Sequence, residues 1–113
     1  MSALPLSSYG FAVGSLAVLA GVAWHGPAPS AEQHVVLMKG IEFGPRSLRA
    51  HVGDTIRWEN RDVVAHTASA NTKSFDVNVP AGRSGATTMK TAGTFPYICR
   101  YHPNMTGEIV VEP

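Results

Sequence analysis

Hydrophobic and polar residues alternate along much of the chain beyond residue 31, with the two-residue period of a β-strand. Ile56 and Trp58 share one face of a short segment, and Arg57 and Glu59 share the other. Phe95, Tyr97 and Cys99 likewise fall on one face of another segment. We therefore expect Trp58 to lie in the core. Segments with this pattern, or rich in β-branched residues, predict eight short strands: His34–Lys39, Ser47–His51, Thr55–Asn60, His66–Ala70, Ser74–Val79, Ser84–Lys90, Thr94–Cys99 and Glu108–Val111.

Residues that form turns separate these segments. They are Gly40, Gly44-Pro45, Gly53-Asp54, Pro80–Gly82 and Ala92-Gly93. From residue 31 onward the chain holds nine Val, four Ile and eight Thr but only two Leu, which favours sheet over helix. Seven or eight short strands separated by turns predict an all-β protein folded as a β-sandwich.

The first 30 residues contain no charged side chain, and all 17 charged side chains follow them. Within this head, Leu4–Trp24 is apolar, but its densest part is shorter than the ~20 residues that span a membrane. Small residues precede Ala31 and suit cleavage there. We predict that residues 1–30 are an export signal peptide, that 31–113 form the domain, and that the protein is periplasmic. An uncleaved membrane anchor is the alternative.

Size and charge exclude two broad classes of protein. A chain of 113 residues forms one compact domain, which excludes a large multidomain enzyme. A formal net charge of +1 provides no strong positive field, so we expect no nucleic-acid binding. Cys99 is the only cysteine, so no disulfide staples this small domain, and a lone exported thiol needs a role.

Chemically active residues concentrate in the segment from Cys99 through His102 to Met105, which places a thiol, an imidazole and a thioether on one expected turn loop. Sulfur ligands combined with imidazole suit copper. A cysteine with two histidines and a weak axial methionine is the arrangement of electron-transfer copper sites. The loop lacks the second histidine, and the best candidate is His66, 33 residues before Cys99.

Five other residues whose side chains could bind a metal are assigned structural rather than chemical roles. His34 and His51 lie at strand ends beside polar neighbours, and we expect both to face solvent. Met38 and Met89 fit strand packing, and Asp54 fits a turn.

Four stretches of the chain carry a family resemblance: Phe43–Leu48, Val52–Asn60, Val64–Thr67 and Ala92–Met105 with Gly107. They resemble the cupredoxins, or type 1 blue copper proteins, and among these most closely the amicyanin and plastocyanin group. The spacing C-x₂-H-x₂-M, with Pro103 directly after the histidine, is similar to the short amicyanin loop.

The resemblance implies a Greek-key, cupredoxin-like sandwich that shuttles single electrons and binds one copper ion (Cu⁺/Cu²⁺) per chain. Its equatorial ligands would be His66, Cys99 and His102, and its axial ligand would be Met105. His102 would be the electron port, where a redox donor and acceptor dock on an apolar patch. That patch would comprise Pro103, Met105, Phe43 and Ala65. We expect a monomer, which the N-terminal segment would tether to a membrane only if it stays uncleaved.

Two residues differ from what the family or a regular β-strand would have at their positions. Thr67 follows the first histidine, where the family often has an asparagine that ties the two ligand segments together. Pro96 lies inside the strand that leads to Cys99 and cannot donate a ladder hydrogen bond, so we expect a bulge or an unpaired edge there.

Two other functions compete with electron transfer. A periplasmic copper-handling protein, a chaperone or store, would need additional Met or His clusters, which the sequence lacks. A metal-free interaction domain would pair Cys99 with another chain. We expect no enzyme activity, because no His-x-His element supplies further copper and a Cys99–His102 couple lacks an orienting third group.

Overall fold

The computed structural model describes residues 30–113, with Gly14 and Gly21 of the preceding segment. Apart from Gly14, Gly21 and Ser30, the predicted signal peptide lies outside the described residues. The regular elements of the described part are nine β-strands: β1 (Gln33–Met38), β2 (Phe43–Gly44), β3 (Ser47–His51), β4 (Thr55–Asn60), β5 (His66–Ala70), β6 (Asp76–Val79), β7 (Ser84–Thr88), β8 (Gly93–Cys99) and β9 (His102–Glu112). In this part, no helix is long and apolar enough to cross a membrane.

The nine strands form two sheets. One has the order β2-β1-β4-β7, and the other has the order β3-β9-β8-β5-β6. β1 pairs in parallel with β4, and β3 with β9, whereas the other neighbours are antiparallel. Four of the seven neighbouring pairs are not consecutive in the chain, so connections cross between the sheets as in a Greek key. The predicted all-β sandwich is confirmed.

The interior of the sandwich holds an aromatic cluster. Trp58 of β4 and Tyr97 of β8 are buried, with ring centroids 5.6 Å apart. Phe43 and Phe75 also pack against Tyr97. Trp58 Nε1 donates a hydrogen bond to the Tyr97 hydroxyl over 3.3 Å, and burial raises the pKa of Tyr97 to about 12. The alternation read from the sequence of β4 and β8 therefore places the correct faces inward.

Two strands differ from the sequence-based expectations. β2 brings the number of strands to nine; it has only two residues, too few to show a periodicity. β9 begins at His102 rather than at Glu108, because the chain reverses at residues 100–101 and Cys99 pairs directly with His102. The register shifts from Cys99–His102 to Ile98–Thr106, so residues 103–105 have no partner in the β8–β9 ladder and form a bulged, irregular start of β9.

Pro96 lies where its missing amide proton costs no ladder bond. The pairing of β5 with β8 ends at Ala70 and Tyr97, so Pro96 comes just beyond that ladder. Its carbonyl accepts a hydrogen bond from the Asn71 amide over 2.9 Å. On its other side Pro96 pairs with Glu108 of β9, so β8 is a central strand here and the expected edge is absent, although the β5 ladder has ended.

The strand directions divide most of the turns between two ends of the sandwich. Residues 39–42, 61–65, 80–83 and 100–101 lie at one end, which we call the site end. Residues 45–46 join β2 to β3, which both run away from this end, so they lie partway along the sandwich. Residues 52–54, 71–75 and 89–92 lie at the opposite end, which we call the far end.

A buried carboxylate organises the far end. Asp54 accepts hydrogen bonds from the Glu32 amide, the His34 ring and the His51 amide, all at 2.8–2.9 Å. These donors hold the pKa of Asp54 well below its usual range, with the Glu32 amide contributing most. The expectation that His34 faces solvent is wrong, because its side chain is only 18 % exposed and bound to Asp54. His51 is exposed as expected.

Candidate metal centre

Cys99 and His102 are brought together by the connection between β8 and β9. Cys99 is the last residue of β8 and His102 the first of β9, and the two are cross-strand partners. The side chain of Cys99 points into the sandwich and has no exposed surface. The Sγ atom of Cys99 lies 3.7 Å from Nδ1 of His102, which is half-buried.

His66 reaches the same point from the neighbouring strand. It is the first residue of β5, which pairs with β8, and it is completely buried. Its Nδ1 lies 3.7 Å from the Cys99 Sγ atom. The rings of His66 and His102 meet edge to face, with centroids 5.1 Å apart. The structure thus brings together three of the four predicted site residues across 33 positions of sequence.

The distances among these donor atoms fit one metal ion. The two ring nitrogens and the sulfur all lie within 4.8 Å of one another. Zinc follows copper in the periodic table and forms bonds of about 2.0 Å to nitrogen and about 2.3 Å to sulfur. At trigonal angles, bonds of these lengths place sulfur about 3.7 Å from nitrogen. Both observed sulfur–nitrogen distances have this value. A thiolate with two imidazoles is a donor set that suits copper.

Met105 lies on β9, three residues after His102, and is 2 % exposed. It also lines a surface groove of about 280 Å³ with Ile41 and Phe43. The structure places this thioether in the interior at the site end, in the same strand as His102.

Asp62 orients His66, a role that was not predicted from the sequence. Nε2 of His66 lies 2.7 Å from the Asp62 carboxylate, which only accepts, so this nitrogen carries the proton and leaves the Nδ1 lone pair facing Cys99. Asp62 also accepts hydrogen bonds from the amides of Ile41 and Gly40. These bonds, with that of Ile41 the largest cause, hold the pKa of Asp62 below its usual value. A carboxylate four residues before the predicted ligand was the available sequence signal.

Thr67 ties the two ligand segments together. Its amide donates a hydrogen bond to Cys99 Sγ over 3.3 Å, and its hydroxyl accepts one from the Arg100 amide over 2.8 Å. The Ser69 hydroxyl donates its proton to the Asp76 carboxylate. The Ser69 oxygen therefore accepts a hydrogen bond from the Thr67 hydroxyl, over 2.9 Å. Threonine therefore makes the link between segments that the resemblance assigns to asparagine.

The comparison with known sequences identifies the family. The sequence model described as the cupredoxin-like domain matches residues 12–111. The chain belongs to the cupredoxin-like family. This cupredoxin is 30 % identical to amicyanin of Paracoccus denitrificans over 131 aligned positions, which cover 99 % of this chain and 92 % of that protein. It is 34 % identical to amicyanin-alpha of Methylorubrum extorquens over 92 positions, or 76 % of this chain and 75 % of the relative.

Solved structures give the same result. An amicyanin variant in its Cu(I) form matches this cupredoxin with a TM-score of 0.63 and 28 % identity, covering 69 % of this chain and 80 % of the other. A copper-containing nitrite reductase from Thermus scotoductus SA-01 matches with a TM-score of 0.65 and 29 % identity, covering 70 % of this chain but only 22 % of the enzyme. The resemblance to amicyanin-like cupredoxins is confirmed.

Proposed function

We propose that this cupredoxin is a small exported type 1 copper protein that carries single electrons between redox partners. The supporting observation is the group formed by one cysteine sulfur and two imidazole nitrogens, with both sulfur–nitrogen distances at 3.7 Å. One copper ion per chain would supply a one-electron change between Cu(I) and Cu(II). Its proposed ligands are His66, Cys99, His102 and, in the axial position, Met105.

The protein contributes donor atoms that are held in place by its own hydrogen bonds. Asp62 fixes the ring of His66, and Thr67 fixes the sulfur of Cys99 and the backbone that follows it. Because these contacts do not depend on a metal, the donors need little rearrangement when the charge at the site changes. Small rearrangement favours rapid electron transfer.

His102 is the proposed electron port. Its Nδ1 faces Cys99, whereas the ring as a whole is only half-buried, in contrast to the fully covered His66. Of the expected apolar patch, Pro103 and Ala65 are exposed, whereas Met105 and Phe43 are buried. A donor and an acceptor protein would dock at this surface in turn, each bringing its redox centre close to the imidazole edge.

We propose no enzymatic activity. In residues 30–113, His66, Cys99 and His102 form the one cluster of three or more His, Cys, Asp or Glu side chains with metal-binding geometry. The similar nitrite reductase is several times longer than the matched region, so the likeness covers one part of that enzyme. Electron carriage needs a single metal centre, which this domain can hold.

The proposal includes a periplasmic location and a monomeric state. The apolar, uncharged residues 1–30 would direct export and leave residues 31–113 as the copper domain, or would stay as a membrane tether.

A Cu(II) titration of the full chain, followed by visible absorption and electron spin resonance, tests this function. We expect an intense thiolate-to-copper band that saturates at one copper per chain and is lost in Cys99→Ala and His66→Ala. His51→Ala removes an exposed histidine at the far end and serves as the matched control, so it should keep the band. Met105→Leu should keep the band and change the reduction potential, as expected for a weak axial ligand.

The alternatives give different results. Absence of the band, with the thiol reduced and the chain folded, contradicts the electron-carrier proposal. Tight Cu(I) binding without the Cu(II) band would instead favour copper handling.

A further inference from the structure

The site end of the sandwich is positively charged. Each of its four turns carries one cationic side chain, Lys39, Arg61, Arg83 or Arg100. Arg46 reaches toward the same end, where it donates a hydrogen bond to the Thr106 hydroxyl and lines a groove with Ile41. We call these five residues the cationic ring. The same turns contain only two acidic residues, Glu42 and Asp62. The far-end turns at 52–54, 71–75 and 89–92 carry one acidic residue and two lysines, Asp54, Lys73 and Lys90. A chain whose formal net charge is +1 therefore concentrates positive charge around the metal centre.

Most of this charge is available to a partner. All five members of the cationic ring are exposed. Arg61 lies 3.0 Å from Glu59, and Arg100 lies 3.3 Å from Asp76. Among the described residues, no carboxylate lies within 4.0 Å of the other three ring members, Lys39, Arg46 and Arg83.

The acidic residues at this end offset little of the charge. Asp62 is engaged by the His66 ring and by two backbone amides, so its carboxylate faces inward to the site rather than toward a partner. Arg83 and Arg61 line a surface groove of about 460 Å³ together with Arg57. Glu59 lines the same groove and pairs with Arg57 and Arg61, so Arg83 is the guanidinium there that has no carboxylate partner in the described part of the chain. A guanidinium group pairs with a carboxylate in a fixed geometry.

The centre of the same end is apolar. Val63 is 94 % exposed and Val64 is 42 % exposed in the turn before His66, and Ile41 is 45 % exposed in the turn that binds Asp62. An apolar centre with a charged rim is the usual anatomy of a protein interface, in which rim charges govern encounter and orientation.

We propose that the cationic ring recognises a redox protein whose own electron port is bordered by acidic side chains. This inference rests on the proposed electron-transfer function, because only a redox partner must approach His102. Carboxylates on the partner would pair with Lys39, Arg46 and Arg83, and the apolar centres would meet between them. The ring accelerates encounter and sets which face of the partner is presented.

Oxidation of the Cu(I)-loaded full chain by two small probes tests the inference. In each reaction one electron leaves the chain and reduces the probe: hexacyanoferrate(III), an anion, or tris(phenanthroline)cobalt(III), a cation. Stopped-flow rates are measured from about 0.01 M to about 0.15 M salt, over which the screening length falls from about 30 Å to about 8 Å. We expect the rate with the anion to fall as salt is added and the rate with the cation to rise.

Two matched double variants locate the effect. Lys39→Gln with Arg83→Gln removes two charges from the cationic ring, and Lys73→Gln with Lys90→Gln removes two from the far end. We expect the first pair to lower the low-salt rate with hexacyanoferrate(III) about threefold, a small part of the range known for electrostatic steering. The second pair should change it much less. Equal changes in both pairs, or rates that ignore probe charge, would overturn the inference.

Further outcomes separate the possible errors. If none of the chains shows the thiolate-to-copper band, the proposed function fails and the inference falls with it. If the band is intact but the rates do not depend on the charge of the probe, the inference is overturned and the proposed function stands. Binding to phosphatidylglycerol vesicles is measured as well. If the wild type and the far-end variant bind but the ring variant does not, and the rates do not depend on probe charge, the cationic ring recognises a membrane surface instead.

Discussion

At the scale of single residues, Thr67 stands out because one short side chain serves both ligand segments. Its hydroxyl accepts from the Arg100 amide and donates to Ser69, while its amide contacts the Cys99 sulfur. The Ser69 hydroxyl donates to Asp76, and this bond is the main cause that lowers the pKa of that carboxyl. A carboxylate near the surface thus fixes the orientation of a buried hydroxyl beside the proposed copper ligand.

Thr67→Val tests this link. Valine keeps the shape but leaves the Arg100 amide without its acceptor, so we expect unfolding free energy to fall by about 1–3 kcal/mol. Urea unfolding measures the loss. Hydrogen exchange of the Arg100 amide, followed by NMR, should accelerate in Thr67→Val and remain slow in Thr67→Ser, which retains the hydroxyl. An Arg100 amide that stays equally protected in the valine variant would contradict this account.

At the scale of elements, β9 connects the site to the rest of the fold. With eleven residues it is the longest strand, and it pairs with both β3 and β8. Gly107, in its middle, faces Tyr97 on β8; a Cβ atom there would lie 2.5 Å from the ring carbon Cζ and 2.6 Å from the hydroxyl. The absence of a side chain on β9 lets the Tyr97 ring lie across the strand and reach Trp58.

Gly107→Ala should therefore destabilise the domain. The added methyl group collides with a ring packed in the core, and we expect a cost of about 1–3 kcal/mol. Chemical denaturation measures it. A double-mutant cycle with Tyr97→Leu supplies the control, because leucine lacks the ring atoms that collide, so the alanine should then cost much less. An unchanged cost in the Tyr97→Leu background would show that the collision is not the cause.

At the scale of the whole molecule, four carboxyl groups have lowered pKa values, and together they make the folded domain more stable near neutral pH than in acid. They are Asp54, Glu59, Asp62 and Asp76. Each accepts hydrogen bonds in the folded state that the unfolded chain lacks. The unfolded chain takes up protons at ordinary carboxyl pKa values near 4, whereas the folded state resists protonation until lower pH. The stabilisation is complete above these ordinary values and is lost as the pH falls toward the folded-state values.

Asp54→Asn isolates one of these contributions, far from the metal centre. Asparagine cannot accept all three of the hydrogen bonds that Asp54 receives, so the variant should be less stable than wild type at pH 7. As the pH falls from about 5 to about 3, wild-type Asp54 loses its advantage and the difference should shrink. Urea unfolding of both metal-free, reduced chains measures that difference, in which the contributions of other groups cancel. A difference that stays constant from pH 7 to pH 3 would contradict the assignment.

Local sequence pattern was sufficient for eight of the nine strands and for three of the four proposed ligands. Alternation in β4 identified the buried Trp58, and alternation in β8 placed Tyr97 on the same face as Cys99, because side chains two residues apart share a strand face whatever the rest of the chain does. The three-residue steps from Cys99 to His102 and Met105 are also local and visible in one short segment. Only the resemblance and the chemistry of copper pointed from there to His66.

Tertiary structure decided everything that depends on pairing between distant strands. The 3.7 Å approach of His66 to Cys99, the hydrogen bonds from the Gly40 and Ile41 amides to Asp62, and the bond between His34 and Asp54 all join residues 20 or more positions apart. The start of β9 at His102 likewise depends on its cross-strand partner Cys99. Sequence alone therefore determined which side chains face inward and which donor types are present, because those properties are set within a few residues. Which donors meet, and how each is oriented, follows from long-range packing, since a hydrogen bond acts over about 3 Å in space regardless of separation along the chain.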